Sequence, residues 1–206
     1  MAAPPGSTIA PPNVLIIMDN TGNWTAPFVN EKAALVSVFN ALPEGSFNVG
    51  LMMFTETGSG NTGNDGAYVR GAIRLMNNAN KSLYANMINA FDPVNDRSNS
   101  GKAGKTMAEA YYYFNSLAPY AGNNKNKTDY TGNAYNPSPA ALGASLASSR
   151  AVWALSGNAL ASKASTTYVG PDLGGCAKNY VIWIGNGAAQ DSNADTTAAR
   201  NLLAAL

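Results

Sequence analysis

Apolar and polar residues are grouped along the chain in a way that predicts alternating strands and helices. Val14 to Met18 is an unbroken apolar run, rich in β-branched residues, set between Pro11-Pro12 and Asp19. A run that short predicts a strand buried on both faces. Phe28, Ala34, Leu35, Val38 and Phe39 recur at helical spacing and predict a helix over 28–42, ended by Pro43 and Gly45. Phe47 to Phe54 predicts a second strand and Ala67 to Leu75 a third. The Gly/Asn-rich stretch 58–66 is short enough for a hairpin, which makes the third strand antiparallel and places it at the sheet edge.

Leu83, Met87, Ile88 and Phe91 share one face of a predicted helix over 81–91. A polar loop, 92–105, leads to a helix over 106–117, whose Tyr111, Tyr112 and Tyr113 cannot all face inward. Residues 119–139, rich in Asn, Gly, Tyr and Pro, read as an insertion over the surface. The Ala/Leu/Ser-rich segment 140–163 holds at least one more helix. Tyr180 to Ile184 predicts another buried strand, Gly185-Asn186-Gly187 its turn, and 195–206 a last helix. Residues 1–12, with four prolines, read as an extended lead-in. The order predicts a three-layer, doubly wound α/β domain over 13–206, with a mostly parallel sheet and one antiparallel edge strand.

Composition narrows the function classes. The 206 residues carry a formal net charge of +1, which excludes the basic footprint of a nucleic-acid binder. Charged residues are only 12%, and Asn, Gly, Ser and Thr supply the polarity, as suits an extracellular surface. No apolar run reaches the length of a membrane helix, roughly 18–20 residues. Met-Ala-Ala-Pro-Pro at the start has neither the basic nor the apolar region of a signal peptide. The single cysteine, Cys176, forms no disulfide within the chain; it reads as a thiol packed beside the strand, or as one that pairs outside the chain. There is no histidine, no Gly-x-Ser-x-Gly and no phosphate loop, so an enzyme is not expected.

Candidate chemistry gathers after the first strand. Asp19, Thr21 and Asn23 place oxygen-bearing side chains where the chain leaves the strand's carboxyl end, the position at which open α/β sheets bind ligands. This Asp-x-Thr-x-Asn turn resembles the Asp-x-Ser-x-Ser metal loop of a von Willebrand factor A domain. Lys105-Thr-Met-Ala-Glu-Ala-Tyr-Tyr-Tyr-Phe resembles the threonine loop and following helix of that family. Cys176-Ala-Lys-Asn-Tyr-Val-Ile-Trp-Ile-Gly-Asn-Gly resembles its Cys-x-x-Asn-Phe-Ile-Ile-Leu-Leu-Thr-Asp-Gly segment, in the form found at the front of PilY-type type IV pilus tip adhesins.

The resemblance implies a site for Mg²⁺, Mn²⁺ or Ca²⁺ built from Asp19, Thr21, Asn23, Thr106 and Asn186, completed by a partner's carboxylate. All five offer the oxygen that such ions require. Asn186 replaces the family's aspartate, and Asp19 is the one carboxylate left. A unit charge about 4 Å from a divalent ion is worth up to roughly 8 kcal/mol at an effective dielectric near 20, before screening and desolvation. The balance therefore tilts toward a weak or metal-free site. In one metal-free variant Lys105 or Lys102 stands in for the cation beside Asp19. Trp24 packs over the first helix, or is an aromatic anchor for a partner together with Lys105.

Asp191-Ser-Asn-Ala-Asp195 opens like a calcium loop but has Thr196 and Leu202 where glycine and glutamate belong, so it reads as a polar loop with Asp195 capping the last helix. The family's sheets usually carry two further strands. Either the 206 residues are a stretch of a longer protein, or another part of the molecule completes the sheet. The resemblance implies an extracellular, pilus-associated adhesion module that meets a protein or surface ligand, including minor pilins. The alternative is a metal-free structural or assembly domain that docks to pilus subunits or to a missing part of its own chain.

Overall fold

A computed structural model of the chain describes residues 10–21, 25–54, 66–91, 98, 101–118, 159, 167–173, 177–185 and 187–204. Its elements are β1 (Asn13–Met18), α1 (Thr25–Ala41), β2 (Asn48–Phe54), β3 (Ala67–Leu75), α2 (Asn78–Asn89), α3 (Ala103–Phe114), β4 (Asn179–Ile184) and α4 (Asn193–Ala204). The predicted insertion at 119–139, the loop at 58–65, nearly all of the helix expected in 140–163, most of the lead-in and Cys176 lie outside the described residues.

The four strands form one sheet in the order β3-β2-β1-β4. β1 pairs in parallel with both β2 and β4, and β3 pairs antiparallel with β2, as the sequence predicts. Alternation along β1 builds two cores. Ile16 and Met18 face α1 and α2, with Phe28, Leu35, Phe39, Tyr84, Met87 and Ile88. Leu15 and Ile17 face the other way, with Met52, Val69, Ala110 and Tyr113. Each such fully buried large side chain contributes about 1.5–3 kcal/mol of apolar transfer. The result is three layers, with helices on both faces of a mostly parallel sheet. On α3, Tyr113 is buried, Tyr112 half-buried and Tyr111 exposed, the division that three consecutive helical positions require.

The β3 edge is closed by irregularity. Two register shifts interrupt its pairing with β2, where Val49 and Leu51 face Arg74 and Gly71. At this bulge the peptide between Ala72 and Ile73 is taken up by side chains. The Tyr84 hydroxyl donates to the Ala72 carbonyl, and the Ile73 N–H donates to the Tyr113 hydroxyl at 2.7 Å. Gly50 opposes the bulge; a Cβ there would lie 2.7 Å from Ile73 Cγ1 and 2.9 Å from Ile73 N. Arg70 is fully buried with its guanidinium 4.9 Å from the Phe91 ring centroid.

The β4 edge differs from expectation. Tyr180 to Ile184 is a strand, but not a buried one: Tyr180 and Ile182 are each 47% exposed and Val181 38%. The residues are apolar enough for a two-sided core, yet among the described residues no strand pairs with the outer edge of β4 and no element covers its faces as α1–α3 cover β1. α4 packs on α3 instead, with the Tyr112 hydroxyl donating to the Leu202 carbonyl at 2.7 Å.

Candidate functional site

The polar turn after β1 is held by its own side chains. Asp19 is 6% exposed, and its Oδ1 accepts from both the Thr21 N–H (3.0 Å) and the Thr21 hydroxyl (2.7 Å). This is an Asx-type turn, which Asp favours because its short carboxylate reaches the backbone two residues on. The Asp19 N–H donates to the Ile184 carbonyl at 2.9 Å, tying the turn to the end of β4. Asn20 ties it to β2: its Oδ1 accepts from the Phe54 N–H at 2.9 Å and its Nδ2 donates to the Phe54 carbonyl at 3.3 Å. Ser98 N donates to the Asn20 carbonyl at 2.7 Å, beside an isolated bridge between Thr21 and Ser98.

The entry to α3 and the segment after β4 close on this turn. A Cβ on Gly101 would stand 3.3 Å from Thr21 Cγ2 and from the Phe54 ring, so the backbone passes close there. Gln190 N donates to the Gly101 carbonyl at 2.9 Å. Between the three segments lies a cavity of about 210 Å³, lined by Asp19, Thr21, Phe54, Trp183, Gly187 and Gln190 among others. The Trp183 ring meets Phe54 edge-on, 5.3 Å between centroids. The cavity thus sits outside the carboxyl ends of β1, β2 and β4, where an open α/β sheet presents its ligand crevice.

Two buried oxygens nearby have no hydrogen-bond partner among the described residues: Thr106 Oγ1 and Glu31 Oε2. Thr106 is fully buried. Burial, and then the charge of Asp19, push the Glu31 carboxyl up to about 7. A second carboxyl group therefore lies within electrostatic reach of Asp19, one that the sequence reading did not single out. An acid two helical turns into α1 carries no motif that would have marked it.

The printed ion pairs of the two lysines named for the metal-free variant run to Asp195. Lys102 Nζ lies 2.7 Å from Asp195 Oδ2 and Lys105 Nζ 3.1 Å from Asp195 Oδ1, with both side chains 11% exposed. Lys102 also donates to the Gln190 carbonyl at 2.7 Å. The Asp191-to-Asp195 loop is a clamp between helices. Asp191 accepts from Ala103 N (2.8 Å) and Gly104 N (3.0 Å), capping α3 from outside, where a carboxylate also meets the positive end of the helix dipole. Ser192 caps α4: its Oγ accepts from Asp195 N at 3.2 Å, and Asp195 Oδ2 accepts from Ser192 N at 2.9 Å. Asp195 thus closes a capping box from the third position rather than capping the helix itself. These partners hold the Asp195 carboxyl well below the usual carboxylate range, the Lys102 ammonium most of all.

Of the five sequence-predicted ligands, Asp19 and Thr21 line the cavity, and Thr106 lies buried in the first turn of α3, whose entry borders it. Asn23 and Asn186 lie outside the described residues, as does Trp24. Among the described residues no three His, Cys, Asp or Glu side chains gather into a metal cluster. The oxygen chemistry of Asp19 and Thr21, with the unpartnered Thr106 hydroxyl, fits a hard cation in kind, and the short supply of carboxylates fits weak binding. Among the described residues no helix is long and apolar enough to cross a membrane.

The site and sheet define an α/β domain with a small polar crevice at the carboxyl ends of its central strands. No family model matches the sequence, and no curated protein matches it.

Proposed function

We propose that this chain is a binding module of the von Willebrand factor A type, which meets a partner through the polar face at the carboxyl ends of β1, β2 and β4. The observation that carries the reading is the convergence of the Asp19–Thr21 turn, the entry to α3 and the segment after β4 around one crevice. Asp19, Thr21 and Thr106, with Asn23 and Asn186, would hold a divalent ion. Bound there, such an ion supplies a positive site for a partner's carboxylate. The chain's own residues orient that site: Thr21 fixes the Asp19 carboxylate, and Asn20 fixes the turn to β2. An adhesin at the cell surface, at the tip of a type IV pilus of the PilY kind, is the role that the motif resemblance supports.

A metal-free docking domain is the second reading. Both hydrogens from Thr21 already satisfy Asp19 Oδ1, so the turn keeps its shape without an ion. Calorimetric titration of Mg²⁺, Mn²⁺ and Ca²⁺ into the chelator-treated protein separates the two. Saturable binding at about millimolar or tighter, lost in Asp19→Ala, is the expected result for the cation site. Heats that stay at the dilution level, in wild type and variant alike, would leave only the metal-free reading.

A further inference from the structure

Among the described residues Asp19 is the one charged side chain that lines the crevice; Phe54, Trp183 and three alanines make much of the remaining wall. The ion pairs of Lys102 and Lys105 run to Asp195, on the α4 side. The charge of Asp19 is felt as far as Glu31, whose carboxyl it helps to push up. The crevice therefore favours a positive guest, and its walls say which kind. The Phe54 and Trp183 rings meet edge-on, 5.3 Å between centroids, and Trp183 is 36% exposed, so its ring is reachable from water. Gly185 gives the indole its place: a Cβ there would come within 2.8 Å of Trp183 Nε1. A hard divalent ion gives up its waters only for other oxygens, about six in all, and carbon walls supply none. An alkylammonium suits both surfaces. Its charge meets the carboxylate, and its methylenes and charge together suit an aromatic face.

We propose that the crevice takes the side chain of a lysine on a partner protein, its ammonium at Asp19 and its methylenes along Phe54 and Trp183. This deepens the metal-free docking reading, on which it rests, by naming the partner's chemistry. Lysine fits better than arginine. Asp19 Oδ1 already accepts two hydrogens from Thr21, at 3.0 and 2.7 Å, so the carboxylate cannot offer both oxygens squarely to a guanidinium fork. A compact ammonium needs no such pair of acceptors. Thr21 is then a positioning residue, which holds the plane of the carboxylate for the incoming charge. A partner's carboxylate would meet Asp19 with like charge unless an ion came between them. The about 210 Å³ of the crevice is more than one bare ion fills, and it leaves room for the stem of the side chain.

The probe is Nα-acetyl-lysine N-methylamide, titrated into the chelator-treated whole protein and followed at the Trp183 indole N–H and the Gly187 amide in nitrogen–proton correlation spectra. Saturable shifts of both signals at about millimolar probe are expected. The norleucine analogue, which keeps the methylenes and lacks the ammonium, is expected to bind at least about tenfold more weakly. Trp183→Leu, at an exposed position, is expected to weaken the lysine probe by roughly threefold to tenfold, read at Gly187. Asp19→Asn keeps an acceptor for Thr21 and is expected to weaken it about tenfold or more. Far-UV circular dichroism checks both folds; if Asp19→Asn does not fold, the norleucine comparison on the wild type still tests the charge. No shift at about a hundredfold the expected concentration overturns the proposal, as does equal binding of norleucine or an unchanged affinity in Trp183→Leu. Titration of Mg²⁺, Mn²⁺ and Ca²⁺ keeps its failure apart from that of the docking reading. Metal binding without lysine binding leaves the cation site and overturns the lysine; lysine binding without metal heats leaves the lysine pocket. Silence toward both overturns the lysine and removes the crevice as a partner site.

Discussion

At one edge of the sheet β3 carries two register shifts, two arginines and a loose peptide held by tyrosine hydroxyls from helices on opposite faces. At the other, β4 runs for six residues with no charge, and its pairing with β1 shows no register shift. Both strands are apolar enough to be interior. The difference lies in what each edge does with its unpaired backbone and its second face. β3 is irregular, and a regular strand cannot easily continue its ladder. β4 pairs regularly with β1, and nothing among the described residues discourages continuation. An edge is finished by local chemistry, and on that criterion only β3 is finished.

The sharpest way to break this comparison is to make the same substitution in a covered strand and in β4. Ile17 in β1 is fully buried, whereas Ile182 in β4 is half-exposed. Ile17→Ala is expected to destabilise the protein by about 2–5 kcal/mol, the sum of lost transfer energy and a cavity. Ile182→Ala, measured at a concentration that keeps the chain monomeric, is expected to lose less than about 1 kcal/mol. Urea denaturation of the two variants side by side makes the check. Equal losses would mean that β4 is covered in solution.

The strands, the antiparallel edge and the described helices around them were legible from periodicity, to within three residues at each end. The exposure of β4 was not legible. An apolar run reports that a strand needs cover, and it says nothing about where the cover comes from. The Asp19–Thr21 turn was readable because an Asx turn is local, with donor and acceptor two residues apart. Asn20 was passed over in the same turn because its work is to bond Phe54, 34 residues away. The pairing of Lys102 and Lys105 with Asp195 was not legible for the same reason. Nothing near Lys102 or Lys105 in sequence marks Asp195, which reaches them only after β4 and the start of α4 are placed.

Gly50 tests the other edge. A methyl group there meets not a flexible side-chain tip alone but also backbone, Ile73 N at 2.9 Å and Gly71 O at 3.0 Å. Gly50→Ala therefore has to shift the bulge. It is expected to destabilise by about 1–3 kcal/mol and to raise hydrogen exchange at Ile73, whose N–H depends on Tyr113 for its bond. An unchanged denaturation midpoint with an unchanged Ile73 amide would show that the bulge is soft and that the half-buried charge of Arg74 guards β3 instead.

Acid sharpens the contrast by a smaller margin. The β3 side is held by apolar packing, which protonation leaves alone. The α4 side is held to α3 by Asp191 and Asp195, and the Asp195 carboxyl is lowered by Lys102, Ser192 and Lys105. A carboxyl that is lower folded than unfolded adds stability above its unfolded value near 3.8, and that stability is lost as pH falls through the folded value. The α4 side should thus be indifferent to pH between neutrality and about 4 and weaken below it. Asp195→Asn removes the charge that holds both lysines while keeping a side chain able to accept. It is expected to lose about 1–2 kcal/mol at neutral pH and to flatten the acid limb of the stability curve. Urea midpoints from about pH 7 to about pH 3, for wild type and variant, read both effects. Parallel curves would mean that the clamp adds no acid-sensitive stability, and that α4 rides on its packing against α3, where Ala199 meets Gly104.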